Sequence, residues 1–401
     1  MNAEQEHPMQ KVFLLTSAPA HQNGIGSIFL RDILAAAPEL DVYWRVVEPY
    51  MLGSIRSRRG LFWRALTAAF SRMGILNDAR LHLFQFRQLR RMADQIEQEY
   101  RASGASKIWV TTSSPELILL AQVLAQRAIY ICVTVWDAPE YLMQNLRMSK
   151  RTQARVIERF WLLLRQARSC SVVSDNMKTE YSMRTPDLPI VYLRHGIAQM
   201  PAVPKSHMPS RVLRMVFAGS LYSKKEWNAL VQALVDANWM VAGRKIQLEF
   251  VGHFPMREAK RPKELVIHPA MPLDEVLAFM ARADIGYLPY WLDPARAFAA
   301  RTSFPGKMTA YSASGLAIFH HGPEFSSVSD FLARYPYGVV CNSFATEAIL
   351  NRLDALIQNI GTEPMRSARD AAMAQELSDA AMLRGVRQLL GAPATRHWKT
   401  K

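Results

Sequence analysis

Lys307 follows Ser303-Phe304-Pro305-Gly306, and a run of mostly small residues continues from it to Gly315. Ser and Pro just ahead of such a run mark a helix N-terminus, and Gly315 marks its end. A helix N-terminus that opens beside a lysine suits phosphate, because free N–H groups and the ammonium act on the same place. A second segment has the same character: an apolar run at 215–218 leads into Gly219-Ser220-Leu221-Tyr222-Ser223-Lys224-Lys225, with a helix expected from Glu226. Loop N–H groups and two lysines there form a diphosphate cradle. The same residues also suit a plain strand-to-helix turn with solvated lysines. The loop is not a Walker loop, since the Gly spacing and the Lys-Ser/Thr ending are missing.

In the first half, Trp136-Asp137 ends the apolar run 129–135. A carboxylate at the carboxyl end of a strand faces the ligand side of a doubly wound sheet, where it can orient or deprotonate a hydroxyl. The other reading of Asp137 is an N-cap for the helix that starts at Pro139. Ser17, Gly24 and Gly26 form a flexible loop after the first apolar run, without the third Gly of a dinucleotide fingerprint. His195, in Arg194-His195-Gly196, reads as an ordinary hydrogen-bonded hinge histidine rather than a cleft residue. His320-His321 has no companion at ligand spacing, so no metal is read there.

Alternating elements must hold these residues. Strand-like runs fall at 12–15, 42–47, 108–111, 129–135, 170–173 and 190–193, with helical patterns at 116–126, 150–168 and 176–183 among them. After a stretch with Pro201, Pro204 and Pro209 the alternation resumes. Strands are then expected at 215–218, 246–251, 265–268, 285–289, 316–320 and 338–341. Helices are expected at 226–237, 273–283, 325–333, 346–360 and 367–390. Strand–helix alternation implies parallel βαβ units. The expected plan is α/β: a first Rossmann-like domain over 1–197, a linker over 198–211, a second domain over 212–376, and a C-terminal helix and basic tail over 377–401.

The totals narrow the class. A chain of 401 residues, half of them hydrophobic, can bury two cores. Three separated cysteines, Cys132, Cys170 and Cys341, argue against a disulfide framework or zinc site and for the reducing cytoplasm. The first residues lack the basic and apolar regions of a signal peptide, and no apolar run is long enough to cross a bilayer. A formal charge of +15 implies an anionic partner. Between 55 and 92, Arg56, Arg58, Arg59 and Arg64 interleave with Leu61, Phe62 and Trp63, and five further arginines follow with Asp78 the single acid. That pattern suits an interfacial membrane helix, or else core-packed helices with a solvated basic face. No nucleic-acid motif accompanies the charge.

Taken in order, the Gly219–Lys225 loop, 248–252, 266–272, 283–290 and 302–319 resemble the nucleotide-binding domain of GT-B glycosyltransferases, in particular the retaining enzymes of family four, group one. The resemblance implies two Rossmann-like domains facing across a cleft, and transfer of a sugar from a nucleotide diphosphate sugar to a lipid-linked or glycan acceptor. It places Gly219, Ser220, Lys224, Lys225 and Lys307 at the diphosphate. Ile267, His268, Ala270 and Tyr311 fall at the nucleobase and ribose, and Ser303, Phe304 and Pro305 on the donor segment. Ser17, Gly24 and Gly26 fall on the first-domain loop; the candidate catalytic residue, Asp137, comes from its place at the strand end and not from the resemblance. It further implies no metal and no cofactor beyond the donor substrate, hinge closure over the substrates, a role in surface-polysaccharide assembly, and attachment to the inner membrane face through Arg56, Arg58, Arg59, Trp63 and Arg64. Related enzymes carry a glutamate that binds the ribose where Ala310 stands, with Thr302 or Ser303 near the first of their paired glutamates. A non-catalytic glycan- or nucleotide-binding assembly protein of the same fold is the alternative reading.

Overall fold

The computed structural model describes residues 10–18, 25–47, 74–197, 212–254 and 262–391. The chain divides into two units: residues 1–173, 177–193 and 383–401 form the first, and 174–176 with 194–382 the second. The linker expected at 198–211 lies outside the described residues.

In the first unit six strands pair in the order β2-β1-β3-β4-β5-β6: β1 (Gln10–Thr16), β2 (Leu40–Val46), β3 (Lys107–Thr111), β4 (Ile131–Thr134), β5 (Ser169–Val172) and β6 (Ile190–Tyr192). Every pairing is parallel. Strands covered on both faces read as continuous apolar runs, which is how Val12 to Leu15 and Ile108 to Val110 appear. The expected strand at 129–135 is shorter, because Ala128 turns with φ 59° just before it.

The last helix, Asp379–Gly391, belongs with this unit from Leu383 on. Leu390 O accepts from Gln10 Nε2 at 3.3 Å and from Lys107 Nζ, Leu389 O accepts from Ser169 Oγ at 2.6 Å, and Arg387 Nε donates to Glu39 at 2.9 Å. The single helix expected over 367–390 is in fact Glu363–Ala372, a π turn at Met373–Leu377, and Asp379–Gly391. Ser378 breaks it by accepting from Ala381 N at 3.1 Å, and the π turn drives Met373 and Leu377 into the second core.

The second sheet runs β10-β9-β7-β11-β12-β13: β7 (Val212–Ala218), β9 (Arg244–Val251), β10 (Leu265–His268), β11 (Ile285–Pro289), β12 (Ala317–His321) and β13 (Gly338–Cys341), all parallel. A two-residue strand β8 (Met240–Val241) adds antiparallel to β9 after a turn through Asn238 and Trp239. One face packs Phe217, Trp227, Phe250, Tyr287 and Phe319; the other packs Val216, Leu288, Met308, Tyr311 and Phe331. From β7 the chain goes to β9 on one side, and from β10 it returns to β11 on the other. The carboxyl ends of β7 and β11 therefore flank the switch point where ligands of doubly wound sheets bind. Among the described residues no helix is long and apolar enough to cross a membrane.

Candidate functional site

Gly219 lies at that switch point. Its N–H donates to Val251 O at 2.8 Å and its φ is +100°, a conformation that favours glycine. A Cβ there would stand in ordinary contact with Lys307, at 3.4 Å from Cε and 3.5 Å from Nζ, so it is the φ that calls for glycine. Gly252, at the end of β9 with φ +139°, allows a close approach, since its Cβ would stand 2.9 Å from Gly219 O.

Lys307 is the second residue of the helix Gly306–Ala313. Its Nζ donates to Ser220 O at 3.4 Å and lies 4.9 Å from the centre of the Tyr222 ring and 5.1 Å from that of Phe217. No salt bridge to it occurs among the described residues. Burial pushes its pKa down to about 8. An anion placed at the Gly219 loop would restore the charge that the desolvated ammonium is losing.

A core bolt aims this helix. Ala218 N–H donates to the Tyr311 phenol oxygen at 3.1 Å, and the Tyr311 O–H donates to Tyr287 O at 3.1 Å. The ring fits because position 286 is glycine: a Cβ there would be 2.5 Å from Tyr311 Cδ2. Tyr311, fully buried, thus spends its hydroxyl on β7 and β11, a structural role where the resemblance implied contact with the nucleobase or ribose. Pro305 is the N-cap and offers no side-chain cap, so the helix opens with free N–H groups. Ser303 O accepts from Tyr290 O–H at 3.2 Å and from Ser327 Oγ, and the Phe304 ring packs on Phe331 at 5.3 Å, with the Arg194 guanidinium 4.2 Å from the centre of the Phe304 ring. These contacts hold the segment ahead of Lys307. A short helix, Ala297–Thr302, precedes it.

Lys224 and Lys225 are exposed on the first turn of the helix Lys224–Asp236, whose N-cap residue Ser223 makes no side-chain cap bond. Two helix N-termini and three lysines therefore belong to the segments around Gly219. Ile267 packs on the core, Ala270 is exposed just beyond β10, and the His268 ring turns back to Glu249 at 3.2 Å and packs on Phe279 at 4.6 Å. Glu249 is 1% exposed and also receives Arg214 Nε at 2.6 Å, so the imidazole is engaged in that network. His320 and His321 use both ring nitrogens: Nδ1 of His320 donates to Leu288 O and Nε2 accepts from Ser326, while Nε2 of His321 donates to Ser343 O and Nδ1 accepts from Tyr287. Burial lowers both pKa values to about 4, which keeps the rings neutral.

The carboxyl ends of β1, β3 and β4 carry hydroxyls. Ser17 Oγ and Ser113 Oγ are 2.7 Å apart, and Ser113 is 3.3 Å from Thr111 Oγ1. Thr134 Oγ1 accepts from Trp109 Nε1 at 2.8 Å and from Ser171 Oγ at 2.9 Å. Beyond Thr134, Trp136 packs on Phe29 at 5.4 Å and Asp137 is exposed. The residue at the N-cap position of the helix Pro139–Asn145 is Ala138, one place after Asp137. Gly26 falls in the first turn of the helix Ile25–Ala36. Gly24 and the patch residues Arg56, Arg58, Arg59, Trp63 and Arg64 lie outside the described residues. A cavity of about 630 Å³ sits at the opposite, amino end of β1 and β2, where Gln10, Glu39 and Arg387 already bond within the unit.

Phe217 and Tyr222, the walls around Lys307, were not picked out by the sequence, since an aromatic at a strand end reads first as core. The signal was the Tyr three residues after Gly219.

No protein-family model matches the chain, and no curated protein matches it. Solved structures do. Sucrose-phosphate synthase from Thermosynechococcus elongatus aligns over 96% of this chain and 100% of its own, with TM-score 0.62 and 14% identity. The E. coli trehalose-6-phosphate structure bound with UDP-2-fluoro glucose covers 95% and 99%, with TM-score 0.57 and 11% identity. The lipopolysaccharide outer core galactosyltransferase WaaB covers 96% and 99%, with TM-score 0.57 and 12% identity. The chain has the GT-B fold.

Proposed function

We propose that this protein is a glycosyltransferase that moves a sugar from a nucleotide diphosphate sugar to a lipid-linked or glycan acceptor in surface-polysaccharide assembly, retaining the donor stereochemistry. The observation that carries the reading is Lys307: a desolvated ammonium 3.4 Å from Ser220 O, on a helix N-terminus, over a glycine loop at the switch point of the second sheet. As the sugar leaves, negative charge grows on the diphosphate. The Lys307 ammonium and the free N–H groups of two helix starts neutralise it without moving, which is where electrostatic catalysis gains most. Lys224 and Lys225 add a more solvated positive field. In the first unit Asp137 orients the acceptor hydroxyl, beside the Ser17 and Ser113 hydroxyls and the Trp136 ring. A reducing cytoplasm fits three buried, unpaired cysteines, and the inner membrane face fits the charge of +15.

Ala310 favours a second reading, a non-catalytic binding protein, because it puts a methyl group where the related enzymes hold the ribose with a carboxylate. Transfer and hydrolysis assays with UDP-, GDP- and TDP-sugars separate the two. Nucleotide release with one donor supports the enzyme. No turnover with any donor, together with unchanged polysaccharide in a Lys307→Ala strain, sinks it.

A further inference from the structure

Phe86 is 94% exposed, fully in the open at the end of the helix Gly74–Arg87. An isolated exposed apolar residue is ordinary; its surroundings are not. The helix Gly74–Arg87 lies beside the helix Lys150–Gln166: Asp78 accepts from Ser149 N at 3.1 Å, and Leu81, His82 and Gln85 line one cleft with Thr152, Arg155 and Val156. The contacts advance together along both helices, so the two run in the same direction. His82 and Phe86, one turn apart, form a row that continues past Arg155 toward the level of Arg159.

Cations border that row without matching acids. Arg155 NH1 is 3.4 Å from His82 Nδ1, an approach between two basic groups. Among the described residues Arg159 reaches the neutral Gln122, at 3.4 Å, and no carboxylate. Arg87, Arg90 and Arg151 are exposed, and no carboxylate among the described residues pairs with them. The nearby acids are committed: Asp78 to the Ser149 backbone, Asp94 and Glu97 to Arg127 at 2.7 and 2.6 Å. Glu158 is the one exposed carboxylate on the second helix.

We propose that the face made by these two helices docks on an anionic lipid bilayer, with Phe86 entering the headgroup–acyl boundary and the arginines meeting lipid phosphates. An exposed Phe amid arginines that no carboxylate of the described residues pairs with is what an interfacial surface needs: apolar area to bury and charge to hold it there. The assignment rests on the membrane-attached reading above, but on different residues from the 56–64 patch, and it supplies a defined docking surface.

The test is co-sedimentation of the full chain with vesicles of phosphatidylglycerol and phosphatidylcholine, against phosphatidylcholine alone, at low salt. Wild type binds the anionic vesicles and is released by high salt. Phe86→Ser weakens binding about tenfold, and the Arg151→Gln/Arg155→Gln/Arg159→Gln variant about a hundredfold, at about fivefold per lost charge. Phe86→Ser alone decides the matter if the triple variant fails to fold. A bimane probe on Phe86→Cys shifts to the blue on anionic vesicles. Wild type that ignores anionic vesicles overturns the membrane-attached reading itself. Wild type that binds, with both variants binding equally well, overturns this face and leaves that reading standing on 56–64. Tighter binding to single-stranded RNA than to vesicles at the same salt overturns the lipid assignment.

Discussion

Both sheets are built on a path of six parallel strands, in different order, and they differ at their carboxyl ends. The second presents Lys307 over the Gly219 loop, with helix N-termini beside it. The first presents Ser17, Ser113 and Thr134 hydroxyls, the Trp136 ring and the Asp137 carboxylate. One end answers concentrated negative charge. The other offers hydroxyls and a flat ring, which the proposed function assigns to an acceptor. The scaffold sets where chemistry occurs, and a few residues at strand ends set which chemistry.

If that division is right, Lys307→Ala should cost most. With the lysine gone, the leaving diphosphate keeps the helix N-termini but loses its desolvated counter-charge. The expected loss is about a thousandfold in kcat/KM, or roughly 4 kcal/mol. A loss confined to donor KM would instead make the lysine a plain binding group. Asp137→Asn should cost about a hundredfold in kcat with donor KM unchanged, because it acts on the acceptor side. Steady-state kinetics with the donor varied checks both, and a raised donor KM in Asp137→Asn would erase the contrast between the two ends.

A smaller effect tests the bolt. Gly286→Ala drives a Cβ into the Tyr311 ring, at 2.5 Å from Cδ2, and should destabilise the second unit by about 2 kcal/mol. Tyr311→Phe removes the hydroxyl that joins β7 and β11 and leaves Ala218 N–H unpaired, costing about 1 kcal/mol. Denaturant melts measure both. Equal midpoints for Gly286→Ala and wild type would show that the ring is not held there.

The bolt also marks the limit of sequence reading. The strands were legible because parallel strands buried on both faces leave unbroken apolar runs, as in Val12 to Leu15. Lys307 was legible because Pro, Gly and small residues announce a helix start. The Tyr311–Gly286 fit was not, since it joins two segments whose separate patterns are those of any helix and any strand. The rings around Lys307 were hidden for the same reason. The resemblance put His268 at the nucleobase, yet its ring turns to Glu249, a direction no one-dimensional pattern records. The break at Ser378 was masked by helical periodicity on both sides of it.

The smallest effect separates Lys307 from the first sheet by pH. Its pKa stands at about 8 because burial disfavours the ammonium. A bound diphosphate favours the ammonium and raises that pKa, so binding takes up a proton above about pH 8. Donor affinity should be level near neutrality and then fall by up to about tenfold per pH unit. Stability runs the other way. The unfolded lysine titrates near its ordinary 10.5 and the folded one near 8, so the unfolded chain holds more protons between those values. This group's contribution to stability therefore rises across that window while donor affinity falls. Lys307→Arg separates the two, because a guanidinium stays charged throughout and should flatten the affinity profile. Calorimetric donor titrations on both proteins read it directly. A wild-type affinity that stays level to about pH 10 would mean that the diphosphate is held by helix N-termini alone, and the cation at the second sheet would lose its part in the contrast.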